Sequence, residues 1–324
     1  MLDWASKHRP TRLSEIVGQQ VNVEILQRLV DKNELYGAMI FYGRSGCGKT
    51  TTARCLANEM QAEYIEVNAA DNSSADSARE IAEMANRFAL TGKHKIIVID
   101  EAHGLSRQAW QVLLKAIEEP NSKMHWIFCT TEWRSLPDTI KGRCHMFKFY
   151  SIPREHLINH AKAILEKEHI NTLPMEVLNE IIKESKGQPR DLLKSLQISA
   201  ENGLDTVEKY FKWLQKPSIR GMVNYIEGVL KAKPASALTA LKAVETSELV
   251  EWRRRLEDMI YEMLEDKFIE RGLQSYSQPV RDKMRELTST VETVRFGALL
   301  DKLLLVNNAE DAYRMLYVTA VQGV

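Results

Sequence analysis

Gly43-Arg44-Ser45-Gly46-Cys47-Gly48-Lys49-Thr50 fits the pattern G-x-x-x-x-G-K-[ST]. In that pattern successive backbone N–H groups cradle phosphates, the lysine reaches the terminal phosphates, and the hydroxyl ligates Mg²⁺. Further along, Lys95-Ile96-Ile97-Val98-Ile99-Asp100 ends an apolar run on an acid and is followed at once by Glu101. Phosphoryl transfer needs charge neutralisation and an oriented water more than covalent chemistry. Asp100 at the end of its strand can hold the Mg²⁺ shell that Thr50 also contacts, and Glu101 is positioned to polarise water. Ile99-Asp100-Glu101-Ala102-His103 therefore points to hydrolysis rather than binding alone. Thr130 and Thr131 end the next apolar run, where their hydroxyls could meet the attacking water or the γ-phosphate.

The elements around these residues follow from periodicity. Ala38-Met39-Ile40-Phe41-Tyr42 reads as a strand entering the glycine-rich loop, and Thr51 to Met60, free of Gly and Pro, as the helix leaving it. Further strands are expected at Tyr64–Val67, Lys95–Asp100, His125–Cys129 and His145–Phe149, with helices between them. A continuous apolar strand such as 95–100 is what burial on both faces of a parallel sheet requires. Strands alternating with helices from about residue 20 to 150 imply an α/β domain, a mostly parallel sheet sandwiched by helices. Ligands in such sheets sit at the carboxyl ends of strands, where these motifs fall. Beyond Pro153 only helical periodicity is found. Leu157, Ala161, Ile164 and Leu165 mark one helix, and Val177, Leu178, Ile181 and Ile182 another. Trp252, Leu256, Met259 and Met263, then Phe296, Leu299, Leu300 and Leu303, mark two more. The expected division is a nucleotide-binding domain at 1–152, a small helical domain at 153–216 and an all-helical domain at 217–324.

Lys plus Arg and Asp plus Glu both number 44 in 324 residues, giving zero net charge. A nucleic-acid partner is not signalled globally, so any such surface must be local. No apolar run approaches the roughly 18 residues a bilayer span needs, and the N-terminus lacks a signal-peptide core. The expectation is a soluble, cytoplasmic protein without a membrane partner. Cys47, Cys55, Cys129 and Cys144 are scattered singly, which reads as reduced thiols rather than a zinc site or disulfide framework.

Several stretches together resemble the clamp-loader ATPases of the AAA+ class, the bacterial gamma/tau subunits and the replication factor C small subunits. Lys7-His8-Arg9-Pro10 with Ile16-Val17-Gly18-Gln19 is similar to the family's K-Y-R-P and V-V-G-Q adenine-side box, and Asn68-Ala69-Ala70-Asp71 to its N-A-S-D segment. Leu105-Ser106 with Leu113-Leu114-Lys115-Ala116-Ile117-Glu118-Glu119-Pro120 is similar to the L-S and A-L-L-K-x-L-E-E-P run of the bacterial branch. The likeness covers most of residues 5 to 200. It departs from the gamma/tau pattern in lacking a cysteine-rich module after the loop. It departs from replication factor C in having Asn72-Ser73-Ser74 after Asp71, a mixture expected of a compact bacterial or phage version.

The resemblance implies a five-stranded AAA+ domain, a helical lid and an all-helical collar, working with ATP and Mg²⁺. It implies nucleotide contacts from Arg9, Pro10, Val17 and Gly18, the loop Gly43 to Thr50 (Arg44, Ser45, Gly46, Cys47, Gly48 and Lys49 included), and Thr51. Thr131 takes the sensor 1 position. Arg143, in Gly142-Arg143-Cys144 where the family has S-R-C, takes that of the arginine finger acting on a neighbouring subunit's ATP. Such a finger is worth about 10³ to 10⁵ in rate. Gly187-Gln188-Pro189-Arg190-Asp191 resembles the G-x-x-R-D of sensor 2, making Arg190 the γ-phosphate arginine in cis. The implied partners are identical or homologous neighbouring subunits and a distinct clamp-loader subunit, together a pentamer, with a sliding clamp and primer-template DNA. DNA contacts are expected from Ser73, Arg79, Ser106, Arg107 and Gln111, at helix starts that offer donors to phosphate. Phe88 and Leu90 are expected to press on the clamp. Two other readings are a helicase loader or branch-migration motor of the same class, and a helicase suggested by Asp-Glu-Ala-His. The helicase would need a second α/β domain where the sequence reads as helical.

Overall fold

The computed structural model describes residues 3–86, 94–118, 123–170, 173–214, 218–245, 248–269, 273, 276, 278–304 and 309–323. The chain forms two compact units, one of Met1–His169 with Ile181–Gln197, the other of Ile170–Glu180 with Ile198–Val324.

The first unit opens with α1 (Trp4–Lys7), a 3₁₀ turn at Leu13–Glu15 and α2 (Gln20–Asp31). There follow β1 (Ala38–Gly43), α3 (Lys49–Glu59), β2 (Glu63–Asn68), α4 (Ala75–Asn86), β3 (Lys95–Asp100) and α5 (Arg107–Glu118). The unit continues with β4 (Met124–Thr130), α6 (Asp138–Lys141), β5 (His145–Phe149) and α7 (Arg154–Lys167). The five strands lie in the order β2-β3-β4-β1-β5 and every pairing is parallel. Alternate residues of each strand feed opposite faces, as the pleat demands. Ile40, Ile97, Ile99, Trp126 and Phe128 pack with Ile81 of α4 and Trp110 and Leu113 of α5. Met39, Phe41, Ile96, Val98, Ile127 and Cys129 pack with Leu26 of α2 and Ala53 and Leu56 of α3. Both faces are covered, so the middle residues of the central strands are mostly apolar, with polar residues such as Lys95, Asp100 and Thr130 at the strand ends, and the sheet is the expected sandwich.

Because all strands run one way, their carboxyl ends share an edge. β1 lies between β4 and β5, neither its neighbour in sequence, and the chain reverses its order there; a crevice opens at such a reversal. Gly43 ends β1 against β5. A Cβ there would stand 2.2 Å from the Phe149 carbonyl oxygen, so only glycine lets the loop leave the sheet at this point.

After α7 no strand occurs among the described residues. The helices are α8 (Met175–Glu184), α9 (Pro189–Glu201), α10 (Val207–Trp213), α11 (Ile219–Leu230), α12 (Pro234–Lys242), α13 (Leu249–Ile269), α14 (Gln278–Thr290), α15 (Thr293–Leu304) and α16 (Ala309–Gln322). In the second unit the spacing read from the sequence is the buried face: Trp252, Leu256, Met259 and Met263 of α13, and Phe296, Leu299, Leu300 and Leu303 of α15. Trp252 meets Tyr225 of α11 edge to face at 5.0 Å, and the Tyr225 hydroxyl donates to the Leu316 carbonyl of α16 at 2.8 Å. No described helix is long and apolar enough to cross a membrane.

At the opposite edge of the sheet His125 is buried. Its Nδ1 bonds the Tyr36 carbonyl at 3.1 Å, and its Nε2 lies 2.8 Å from Nδ1 of His94. Desolvation brings the His125 pKa down to about 4, and burial also lowers that of His94. The unfolded chain therefore binds a proton from about pH 6.5 downward while the folded chain resists until about pH 4, so stability is intact above 6.5 and falls with pH below it. His125 alone is expected to remove about 2 kcal/mol between pH 7.5 and pH 5. Urea midpoints at the two pH values measure this, and His125→Asn is expected to flatten the difference.

Candidate nucleotide-hydrolysis site

The loop between β1 and α3 wraps the start of α3, whose first turn supplies free N–H groups and the positive end of the helix dipole. Lys49 is the first residue of that helix and only 6% exposed. Its ammonium donates at 3.0 Å to the carbonyls of Gly43 and Arg44. Among the described residues no carboxylate pairs with it. A buried cation satisfied by carbonyls alone, beside a helix N-terminus, is an anion site, and a polyphosphate fits it. Cys47 is buried in the same loop with its thiol on the Arg44 carbonyl at 2.8 Å. Burial pushes that thiol up, against the pull of Lys49, so it serves as a packed, protonated group.

Beside the lysine, Thr50 Oγ1 donates to Asp100 Oδ2 at 2.8 Å, and Asp100 Oδ1 accepts the Glu101 N–H at 3.0 Å. A hydroxyl and a carboxylate oxygen are the hard donors Mg²⁺ takes, and these two already touch. Glu101 holds a left-handed backbone, φ 48°, at the entry to a 3₁₀ turn over Ala102–Gly104. Its Oε2 is buried, lies 3.4 Å from His103 Nδ1 and makes no hydrogen bond. A carboxylate held in this way is free to take a water as its partner.

These groups line one cavity with the N-terminal segment and the start of α9. Arg9, Pro10 and Val17 form one wall, Ser45, Gly46, Gly48 and Thr51 the floor, and Arg190 a further wall. Asp100 and Glu101 complete it. The walls are pinned by residues the motif reading did not single out. Gln19, 3% exposed, donates from Nε2 to the Tyr150 carbonyl at 2.7 Å, accepts the Tyr150 N–H at 3.3 Å and reaches the Cys47 carbonyl at 3.4 Å. Gln188, with its amide nitrogen turned inward, donates to the Ser45 carbonyl at 2.9 Å and to Asp191 at 3.2 Å. Gly187, at φ 83°, accepts the Ile152 N–H on its carbonyl at 2.9 Å; a Cβ there would stand 2.7 Å from that of Ser151. His8 and His160 also line the cavity. Only the polar side chain inside the V-G-Q and G-x-x-R-D strings hinted at such pinning, since partners so far apart in sequence carry no local signal.

The remaining expected residues lie off the lining. Gly43, Arg44 and Cys47 shape the loop through their backbone, and Gly18 packs on Ile152. Thr131 is half-buried just past β4, whereas its neighbour Thr130 is fully buried, its hydroxyl accepting the Glu132 N–H at 3.0 Å and meeting His103 Nδ1 at 3.2 Å. Arg143 donates to the Thr139 carbonyl at 2.9 Å and pairs with Glu118 at 2.5 Å, its side chain 42% exposed. Ser73, Arg79, Arg107 and Gln111 are exposed and Ser106 half-buried at the adjoining starts of α4 and α5. The Ser106 N–H there bonds the Ser73 carbonyl at 3.0 Å. Phe88 and Leu90 lie outside the described residues.

Fold and site together define an AAA ATPase domain: residues 39–151 match the family described as ATPase family associated with various cellular activities. In sequence the chain is similar to subunits named DNA polymerase III gamma and replication factor C small subunit. It is 32% identical over 213 residues to DNA polymerase III subunit gamma of Buchnera aphidicola subsp. Baizongia pistaciae, covering 58% of this chain and 57% of that one. It is 32% identical over 216 residues to the replication factor C small subunit of Staphylothermus marinus, covering 64% and 65%. The gamma/tau subunit of Mycoplasma genitalium is 29% identical over 75% of this chain and 45% of its own. The chain thus spans between 45% and 65% of the length of these curated relatives. Among solved structures the Thermotoga maritima RuvB Holliday junction branch migration motor matches with TM-score 0.55 and 19% identity. That match covers 69% of this chain and 80% of the other, a likeness of fold.

Lys49→Ala is expected to weaken ATP binding by about 2 to 5 kcal/mol, the usual cost of removing one partner of a desolvated charge pair. Stability without nucleotide is expected to hold or rise, because a buried cation without a carboxylate is removed. Titration calorimetry and a thermal melt separate the two effects.

Proposed function

We propose that this chain is the ATPase subunit of a sliding-clamp loader, using ATP binding and hydrolysis to open a ring-shaped polymerase clamp and set it on primer-template DNA. The observation that carries the reading is the separation of two arginines. Arg190 lines the cavity with the phosphate loop, whereas Arg143 stands off the lining, half exposed and held by one carbonyl and one surface carboxylate. An exposed ion pair of that kind is worth about 1 kcal/mol or less, so Arg143 exchanges Glu118 for a stronger anion at little cost. Arg190 acts in cis, and Arg143 on the nucleotide of a neighbouring subunit.

In this mechanism the N–H groups of the loop and Lys49 hold the phosphates, and Thr50 and Asp100 would hold Mg²⁺, which would supply charge neutralisation at the transferred phosphoryl group. Glu101 orients and polarises the attacking water, with Thr131 as sensor 1 at the adjacent strand end. Arg9, Pro10 and Val17 border the base, and Gly18 shapes the turn beside them. Residues 153–216 act as the lid that carries Arg190, and residues 217–324 as the collar that joins the subunits, identical or homologous, with a distinct partner into a pentamer in the cytoplasm. The neighbouring starts of α4 and α5, with Ser73, Arg79, Ser106, Arg107 and Gln111, face the DNA backbone and read shape rather than sequence. Phe88 and Leu90 press on the clamp. The chain's zero net charge suits a subunit whose DNA contact depends on assembly.

Hydrolysis is expected to rise strongly only when partner subunit, clamp and primed DNA are all present; full turnover by the isolated chain would overturn the shared site. Arg143→Ala is expected to leave nucleotide affinity near that of the parent and to lower turnover in the assembly by about 10³-fold or more. Loss of nucleotide binding in that variant would instead make Arg143 a residue of its own subunit's site.

A further inference from the structure

His103 is the one titratable side chain of the Asp-Glu-Ala-His string to which no role has been given. Its Nδ1 faces two oxygens at once, Thr130 Oγ1 at 3.2 Å and Glu101 Oε2 at 3.4 Å. Thr130 is fully buried at the end of β4, and its oxygen already accepts the Glu132 N–H. Glu101 Oε2 is buried without a hydrogen bond although the side chain as a whole is 41% exposed, an unfavourable arrangement unless a donor is within reach. The His103 ring is that donor when Nδ1 carries the proton. The backbone gives Glu101 little freedom to find another. Its N–H is on Asp100, its carbonyl accepts the Gly104 N–H at 2.8 Å, and its φ is 48°.

We propose that His103 is a positioning residue for Glu101, its Nδ1–H shared between the Glu101 carboxylate and the Thr130 hydroxyl so that the end of β4 sets the direction of the carboxylate. The proposal rests on the reading of Glu101 as the group that polarises water. With the bond on Thr130, Glu101 Oε2 is left without a donor and the carboxylate swings freely. With the bond on Glu101, the carboxylate is fixed by one oxygen and its other oxygen is aimed. Any displacement of the strand end that carries Thr130 and Thr131 shifts the hydrogen from one acceptor to the other. In this way the nucleotide state at the end of β4 reaches the water-activating group through a single ring.

The test compares single-turnover hydrolysis, in the assembly with partner subunit, clamp and primed DNA, and ATP affinity for the full chain and its variants with Mg²⁺ present. His103→Ala is expected to lower the hydrolysis rate by about 10- to 100-fold, the range a misplaced group produces, with the ATP dissociation constant changed less than about twofold. His103→Asn, whose side-chain nitrogen stands near the place of Nδ1, is expected to restore most of the rate. In the Glu101→Gln background, His103→Ala is expected to have no further effect. If His103→Ala hydrolyses ATP at the parent rate while Glu101→Gln is inactive, the tether is wrong and the role of Glu101 stands. If Glu101→Gln is fully active, the reading of Glu101 itself fails. A rate loss in His103→Ala that His103→Asn does not recover, or that comes with weakened ATP binding, makes the residue structural and also overturns the proposal.

Discussion

A lysine ammonium withdrawn from water and given no carboxylate among the described residues is the constraint on which the rest of this unit depends. The Lys49 carbonyl partners, Gly43 and Arg44, are dipoles rather than charges, and they offset only part of a desolvation cost of several kcal/mol. Placing that cation at the first turn of α3 adds a further positive potential, because the unsatisfied N–H groups of a helix start carry roughly half a charge. The field at the mouth of β1 is therefore held positive by the fold itself, and an anion entering it is met by fixed groups with no reorganisation. The stability lost in making such a site is recovered from the two apolar layers on either face of the sheet. The middle residues of β1, β3 and β4, from Met39 to Phe41, Ile96 to Ile99 and Trp126 to Cys129, are accordingly apolar.

That positive loop has to be opposed at short range by groups that hold metal and water, and the strand order does this. β3 and β1 are separated only by β4, so Asp100 at the end of one reaches Thr50 just past the end of the other. The same parallel register delivers Thr130 at the end of β4 between them. Close backbone approaches keep these ends in place. Gly43 lies against β5, and Gly187 against residues 151 and 152, so the phosphate loop and the approach to α9 are both fastened to the segment around Tyr150 and Ile152. Gln19 fastens the N-terminal wall to the same segment. Base-side wall, phosphate loop and Arg190 thus share one mechanical anchor, and a displacement at any of them is felt at the others.

The sequence made the local parts of this arrangement readable and left the tertiary ones hidden. The phosphate loop, the acid-ended strand and the alternation of strand and helix are patterns over a few residues, fixed by hydrogen-bond geometry and burial on both faces of a sheet. The helical faces of α13 and α15 were equally plain, since a spacing of three and four residues admits one reading. What spacing could not give was Gln19, whose partners lie near positions 47 and 150, or His103, which meets Thr130 only because β3 and β4 are neighbours. The pinning of Gln188 on Ser45 and the burial of His125 against His94 were hidden for the same reason. Strand order is a tertiary fact, and every contact that depends on it is silent in a single chain read residue by residue.

The two arginines sharpen what the cavity lacks. Arg190 is delivered by the start of α9, an element the same unit holds through Gly187 and Gln188, so its place relative to the phosphate loop is set by folding. Arg143 follows the four-residue helix α6, just ahead of β5, and keeps only partners that solvent could replace. If both served one nucleotide, the fold would be expected to bury and brace both, since a guanidinium that must be found at the transition state gains most from being fixed beforehand. Bracing one and leaving the other weakly held is the arrangement expected when the second is positioned by a contact the single chain cannot make. On the proposed function that contact is the neighbouring subunit, and assembly rather than folding then completes the electrostatics of the site.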